Sequence, residues 1–335
     1  MSLAASPAAR FDILGIGNAL MDVVAPVDEA FITRHGCNRG TMTLIDTARA
    51  EALFAAMPDG QMTGGGSGAN TAVVAAALGA RVAYLGQVAD DALGHRFRED
   101  CAAVGVHFPT PPLAGGPPTG RCLVLVTPDG QRTMNTYLGA STAFGEAQVD
   151  PVLVAGAAIT YLEGFLFDPP AAQAAFRLAA RIAHEAGRRV ALSLSDPFCV
   201  ARHRAAFRDL VAGHVDILFA NEAEIASLYE EGDLDAAIAR ARADVALAAI
   251  TRSEAGSLIV RGDETVVVAA EAVAVLDTTG AGDAYAAGFL AAFTAGHPLA
   301  VCGRLGSVAA AEVISHYGAR PLRDLSGELT QATAE

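Results

Sequence analysis

From Phe176 onward the sequence alternates between two kinds of apolar segment. A helical pattern reaches Glu185, a strand pattern covers Arg189 to Leu194, and a helix surrounds Phe207. A strand Val215 to Ala220, helices Glu222 to Tyr229 and Leu234 to Arg242, and a strand Val245 to Thr251 follow. Strands separated by helices pair in parallel, because each helix returns the chain to the same edge, and both faces of such a sheet are covered. Earlier, Phe11 to Ile16 reads as a short apolar strand, Asn70 to Leu78 as an alanine-rich helix stopped by Gly79, and Arg81 to Val88 as the next strand. The expected fold class is α/β, with a mostly parallel central sheet flanked by helices.

Two stretches break this rhythm, about 23–46 and 106–141. The second enters through Pro109, Pro111, Pro112, Pro117 and Pro118. Arg121 to Val126 and Arg132 to Leu138 then flank a Pro128-Asp129-Gly130 turn, which is a β-hairpin signal. We expect these stretches to form a small β lid on the core. No repeat, coiled coil or linker is visible, so residues 1–335 are expected to form a single domain, with Met1 to Ala9 as a loose tail.

Composition then narrows the chemistry. The 23 basic residues are all arginine, since the chain contains no lysine. A Walker A loop, a protein-kinase fold and a pyridoxal Schiff base each need a lysine, so all three are excluded. A formal charge of -14 repels nucleic acid on average, so a bound phosphate must be handled by a local site. The five cysteines, Cys37, Cys101, Cys122, Cys199 and Cys302, are scattered without a CxxC pair and read as reduced thiols. With no leader and no apolar run of about 20 residues, a cytoplasmic protein without membrane contact is expected. The histidines form no HExxH or spaced cluster, and Ser67 sits in GGSGA rather than GxSxG.

The most informative segment is Asp277-Thr278-Thr279-Gly280-Ala281-Gly282-Asp283, which opens the apolar helix Ala284 to Phe293. Small residues at a helix start let backbone N–H groups approach an anion, and the helix dipole favours negative charge there. One reading is a phosphate cradle in which Asp283 accepts the proton of an attacking hydroxyl. The other is a Gly-rich turn with Asp283 as helix cap. Likewise Asn221 and Glu224, after a strand, read as an amide and a carboxylate that order a hydrated hard cation, or as a capping box, or as both. Gly15-Ile16-Gly17-Asn18-Ala19-Leu20 suggests a dinucleotide fingerprint but lacks its third glycine and its ribose acid.

The 277–283 heptad resembles the carboxyl-terminal signature of the ribokinase-like (PfkB) carbohydrate and nucleoside kinase family. Gly65-Gly66-Ser67-Gly68-Ala69-Asn70, continuing to Gly86-Gln87-Val88-Ala89-Asp90-Asp91-Ala92-Leu93-Gly94, is similar to its amino-terminal signature, with Ala89 where a glycine is commoner. The resemblance runs from about Phe11 to Arg320 and implies a ribokinase-like fold in which Asp283 is the base and Gly280, Ala281 and Gly282 form the anion hole. It makes Arg132 a lid arginine near the phosphates, and Asn18, Asp22, Gly65, Gly66, Asn70 and Phe165 the acceptor site. On the nucleotide side it implies Asn221, Thr251, Gly256 and Thr278, with Ser253 standing where the loop's first glycine is usual. ATP and Mg²⁺ are implied, the latter near Asn221 and Glu224, and K⁺ on the backbone of Asp277, Thr279, Val313, His316 and Gly318.

Within the family the chain looks most similar to adenosine-kinase-like members, which implies adenosine, phosphorylated at its 5′-hydroxyl, as the acceptor. A sugar kinase for ribose, fructose or a related pentose or hexose is the alternative, and a nucleoside- and ATP-binding sensor without turnover is a third. Glu163 and Asp196 are expected near the base pocket, where they read a base, contact sugar hydroxyls, or serve only as loop acids. The partner is a small nucleoside or sugar, and the chain is expected to be a monomer or homodimer.

Overall fold

The computed structural model describes residues 9–331. In chain order its strands are β1 (Phe11–Ile16), β2 (Leu20–Pro26), β3 (Met42–Leu44), β4 (Gln61–Gly65) and β5 (Val82–Leu85). There follow β6 (Thr119–Val126), β7 (Arg132–Gly139), β8 (Ala157–Glu163), β9 (Arg189–Ser193) and β10 (Ile217–Asn221). β11 (Leu247–Thr251), β12 (Ser257–Arg261) and β13 (Glu264–Val268) complete the set. The larger of two sheets has the order β13-β12-β11-β10-β9-β8-β1-β5. From β11 across to β5 every pairing is parallel, and β12 and β13 add an antiparallel edge.

Period-two alternation divides the core between the two faces of that sheet. Leu14, Ile16, Leu192, Leu218, Ala248 and Ile250 pack on one side with Phe176 and Phe207. Ile13, Ala191, Ile217, Phe219 and Ala249 pack on the other with Val73, Phe289 and Leu305. The successive residues of each strand are thus buried on both faces, as a helix-covered parallel sheet requires. This is the ribokinase-like α/β fold that the sequence leads one to expect.

The smaller sheet has the order β3-β7-β6-β2-β4. Val23, Leu123 and Leu125 pack against Phe31, Ile32 and Leu53 of the helices Glu29–Arg34 and Thr47–Ala56, so one face is covered. On the other face register sets Asp22 opposite Cys122 and Arg132 opposite Val126, and these residues point toward the larger sheet. The small sheet differs in extent from the two irregular stretches of the sequence. It takes in β4, which lies outside both, and β2 starts at Leu20. The Gly-rich run Gly64-Gly65-Gly66 hid that strand, because glycine signals turns rather than strands.

Other boundaries also moved. The helix expected at Asn70 starts at Ser67, because Gly66 adopts a φ of 95° and caps it. The strand expected over 81–88 is confined to Val82–Leu85. β8 was not anticipated, because Ala157–Glu163 follows the short helix Pro151–Gly156 without a break in apolar character. Of the tail expected over Met1 to Ala9, residues 1–8 lie outside the described residues, as do the last residues of the expected single domain. No helix among the described residues is long and apolar enough to cross a membrane.

Candidate active site

In the large sheet β1 leads through the small sheet to β5 on one side, whereas β8, β9, β10 and β11 are laid down on the other. Connections that diverge at neighbouring strands leave a crevice at their carboxyl ends, where α/β proteins bind ligands. The turn Gly17–Ala19 after β1, Glu163 at the end of β8 and Asn221 at the end of β10 all lie at these ends. The helix Ala281–Thr294 starts beside them.

Gly280 caps that helix with a φ of 78°, and a methyl group there would lie 2.6 Å from Ala319 Cβ. Only glycine fits, so the bend is built into the sequence. The Ala281 N–H donates to Thr278 O over 3.3 Å, while the N–H groups of Gly280, Gly282 and Asp283 have no protein acceptor among the described residues. A Cβ on Gly282 would meet open space. The result is an exposed anion-binding end of a long helix. Asp283 is not the cap. It lies in the first turn, and its Oδ1 accepts from Ser67 Oγ at 2.6 Å. Burial raises its carboxyl to about 6, the hydrogen bonds from Ser67 and Asn70 oppose that rise, and the like charge of Asp22 adds to it.

The acceptor side is built around Glu163, which is 1% exposed. Its Oε2 accepts the N–H groups of Asn18 at 3.0 Å and Gly68 at 2.8 Å, and its Oε1 accepts Asn18 Nδ2 at 2.8 Å. Gly17 has no side chain because a Cβ there would lie 2.1 Å from Glu163 Oε2. Glu163 therefore ties the turn carrying Asn18 to the helix Ser67–Ala77, which carries Ser67 and Asn70 to Asp283. Both of its oxygens are engaged by the protein, so its carboxylate is used in holding these two segments together. Burial raises it to about 7, with Asn18 and Gly68 opposing and Asp283 adding. The sequence signal for this role was the glycine at position 17, which leaves space for a carboxylate.

Asp22 lies over Gly65, where a Cβ would come 2.2 Å from its Oδ1, and Gly66 lies against the Asn18 carbonyl in the same way. Burial raises Asp22 to about 6, opposed by Arg320 and Arg132. Asn18, Asp22, Gly65, Gly66, Ser67, Asn70 and Asp283 are thus brought together. Phe165 sits half-buried in the turn Gly164–Phe167 that leaves β8. Arg132 reaches from the small sheet to the loop before the helix Ala281–Thr294, where its guanidinium bonds Thr279 Oγ1 and pairs with the buried Asp277.

On the other side of Asp283, Asn221 caps the helix Glu222–Tyr229 and forms a reciprocal capping box with Glu224. Glu224 also bonds Asn221 Nδ2 at 2.8 Å. Burial raises Glu224 to about 7, opposed by the Asn221 backbone, and Asp196 and Asp283 add through like charge. No group of three metal-ligating side chains occurs among the described residues, and both Glu224 oxygens are already engaged, so these residues suit an ion held through its waters better than a directly bound one. Asp196 caps the helix Pro197–His214 through Phe198 and Cys199. Thr251 ends β11. Ser253 takes a φ of 51° at the position where a glycine is usual, and Gly256, φ 81°, passes beside Val268 O. Asp277 also accepts from Thr279 and Gly318, and Leu276 bonds Ile314 O, so the segments of Val313, His316 and Gly318 adjoin the 277–279 loop.

An exposed helix-start cradle beside a half-buried carboxylate in a switch-point crevice fits a phosphotransferase acting on an alcohol. The chain belongs to the PfkB family: the description "pfkB family carbohydrate kinase" matches residues 40–324. It is accordingly an ATP-dependent kinase with a hydroxyl acceptor. A solved adenosine kinase from Sinorhizobium meliloti is 50% identical, with a TM-score of 0.91 over 97% of this chain and 100% of that one. A solved probable sugar kinase from Rhizobium etli is 45% identical, with a TM-score of 0.92 over 98% of this chain and 100% of that one. An adenosine kinase from Saccharomyces cerevisiae is 29% identical over 90% of this chain and 94% of its own length.

Replacing Glu163 by Ala leaves three buried donors without an acceptor. The Glu163→Ala variant is expected to lose roughly 2–4 kcal/mol of stability in urea unfolding. An unchanged midpoint would show that these bonds do not hold the turn.

Proposed function

We propose that this kinase phosphorylates the 5′-hydroxyl of adenosine. The observation that carries this reading is the pair of half-buried carboxylates, Asp22 against Gly65 and Asp283 bonded to Ser67, that share one crevice, where the charge of Asp22 adds to the rise at Asp283. One is placed to hold an acceptor and the other to deprotonate it. Asp22 and Asn18 would take the 2′- and 3′-hydroxyls, because a carboxylate accepts from both members of a vicinal diol. Gly66 and Asn70 would line the ribose and Phe165 would pack on the purine. An adenosine kinase that is 50% identical over nearly the full length supports the same acceptor.

The 5′-hydroxyl gives its proton to Asp283 as its oxygen bonds to the γ-phosphorus, and the bond to the ADP oxygen breaks. The N–H groups of Gly280 and Gly282 would face the charge on the transferring group, Ala281 would join them by giving up its 3.3 Å bond to Thr278 O, and Arg132 by leaving Asp277 for phosphate. Thr278, Asn221, Thr251 and Gly256 would line the nucleotide. Asn221 and Glu224 would hold Mg²⁺ through its waters, and the ion would supply neutralisation of phosphate charge. The carbonyls of Asp277, Thr279, Val313, His316 and Gly318 would hold K⁺.

Asp283→Asn keeps the shape and removes the base, so turnover is expected to fall by about 100-fold or more while acceptor affinity persists. In the parent enzyme Asp283 must be ionised, and its carboxyl is raised to about 6. Its kcat is therefore expected to decline as pH falls through about 6, a limb that the Asn variant lacks. Parent-like turnover in that variant would remove Asp283 from the chemistry.

Glu224→Gln should raise the Mg²⁺ concentration that gives half-maximal rate, since one negative charge is lost from the carboxylate group. If only the melting temperature falls and the Mg²⁺ dependence is unchanged, the residue serves as a cap alone.

The acceptor is decided by kcat/KM for adenosine, inosine, guanosine, ribose and fructose under one set of conditions. Adenosine is expected to lead, with 2′-deoxyadenosine weaker by ~1–3 kcal/mol in transition-state binding. A sugar ahead of adenosine by about tenfold or more, ~1.4 kcal/mol in transition-state binding, would overturn the nucleoside assignment.

A further inference from the structure

Arg320 is a half-buried cation for which the reaction described above has no use. Its Nε and Nη2 are enclosed and have no hydrogen-bond acceptor among the described residues, and no carboxylate among the described residues lies within ion-pair distance of it. An arginine kept for stability is normally paired when buried, because an unpaired charge in a low dielectric is strongly unfavourable. Asp22, Asp100, Cys101 and Tyr84 are the titratable groups that act on it. Asp100 is already committed, with Oδ2 on the Gly64 N–H at 2.8 Å and Oδ1 on Arg96 at 2.9 Å. Of the two carboxylates, Asp22 is the one left for Arg320.

The geometry between them is unusual. A Cβ on Gly64 would lie 2.5 Å from Arg320 Nη2 and 3.0 Å from Cζ, so the guanidinium rests on the bare backbone of β4. A Cβ on Gly65 would lie 2.2 Å from Asp22 Oδ1. Successive residues of a strand point to opposite faces, so the two charges approach β4 from opposite sides with only backbone between them. Side chains at 64 and 65 would push them apart. The glycine pair accounts for how a cation and a carboxylate that do not touch can still be coupled.

We propose that Arg320 is a positioning residue for the acceptor: packed on Gly64, it acts through the bare strand to hold Asp22, on the far side at Gly65, in the ionised form that grips the acceptor hydroxyls. This rests on the assignment of Asp22 to the acceptor. Asp22 is also faced by Arg132 from β7, by Cys122 from β6 and by Asp283 from the helix Ala281–Thr294. Arg132 is engaged with Asp277 and Thr279, and Asp283 and Cys122 carry the wrong sign or none. Arg320 is therefore the cation dedicated to Asp22. The coupling also makes Arg320 a determinant of specificity, since an acceptor without a diol gains nothing from an ionised Asp22.

The test is the acceptor KM, kcat and ATP KM of Arg320→Met, Arg320→Lys and Gly64→Ala, measured from about pH 6 to about pH 9 with adenosine. Without the positive charge, Asp22 holds its proton to higher pH. Arg320→Met is therefore expected to raise the acceptor KM roughly fivefold or more near pH 6 and to return toward the parent value near pH 9. The kcat and the ATP KM should change little, and Arg320→Lys should restore most of the loss. Gly64→Ala, which displaces the guanidinium, should have the same effect in the parent and a smaller one in the Arg320→Met background. If Arg320→Met does not fold, Gly64→Ala with and without Arg320→Lys gives the same reading. A KM unchanged in both Arg320→Met and Gly64→Ala, or raised equally at all pH values, overturns the proposal. Asp22→Ala serves as the reference: if it leaves the acceptor KM unchanged, the assignment of Asp22 fails first, whereas an effect there with none at Arg320 defeats the positioning role alone.

Discussion

Glu163 is the point through which the parts of the site are joined. The turn after β1 has no regular structure of its own to hold it, and the helix that presents Ser67 and Asn70 starts from a run of three glycines. Each would be free to drift without a common anchor. One buried carboxylate accepts two N–H groups and an amide from these segments, which fixes Asn18 relative to Ser67, and through Ser67 relative to Asp283. Tyr84, donating to the Asn18 carbonyl at 2.9 Å, and Ser141, accepting the Ala19 N–H at 3.2 Å, fix the same turn from other sides. A buried charge with all its bonds made is rigid, because any displacement leaves a donor unsatisfied in a low dielectric.

A concentration of negative charge surrounds that anchor. Asp22, Glu163, Glu224 and Asp283 all have carboxyls raised by burial, and like charge adds to the rise at Glu163, Glu224 and Asp283. Such crowding works against stability and is retained where the chemistry needs it. A phosphoryl-transfer site must also receive anions. In the proposed reaction the attraction for phosphate would come from main-chain N–H groups at the start of the helix Ala281–Thr294 and from Arg132, not from lysines, of which the chain has none. That division explains how a protein of formal charge -14 handles a polyanionic nucleotide: the attractive groups are few and local, and the overall field repels larger polyanions.

The two sheets have different mechanical characters. The large one is buried on both faces and supplies fixed strand ends, while the small one is covered on one face only and offers Asp22 and Arg132 on the other. The buried pair of Arg132 with Asp277 joins the small sheet to the anion-binding turn. The Arg132–Asp277 pair is a charged contact that can exchange partners, whereas the apolar packing of the helix Ser67–Ala77 against the helix Ala281–Thr294 cannot do so without opening voids.

Much of this was legible in the sequence, because it depends on local chemistry. The parallel α/β core follows from the alternation of apolar periods. The cradle follows from Gly280-Ala281-Gly282, and the cap at Asn221 from its spacing to Glu224. What the sequence could not contain was the pairing of distant residues. Glu163 read as a base-pocket residue, a contact to sugar hydroxyls or a loop acid, and its anchoring role was hidden because its three donors lie 95 and 145 residues away. Arg320 carried no signal, because its relation to Asp22 passes through β4, a strand that its glycines disguised. Gly65 read as part of a family signature lining the acceptor and Gly64 carried no reading, and only the packed structure shows that each is bare because a charged group lies against it. Local backbone preferences are written along the chain, whereas the close approach of charges is fixed only when separate segments are brought to one strand end.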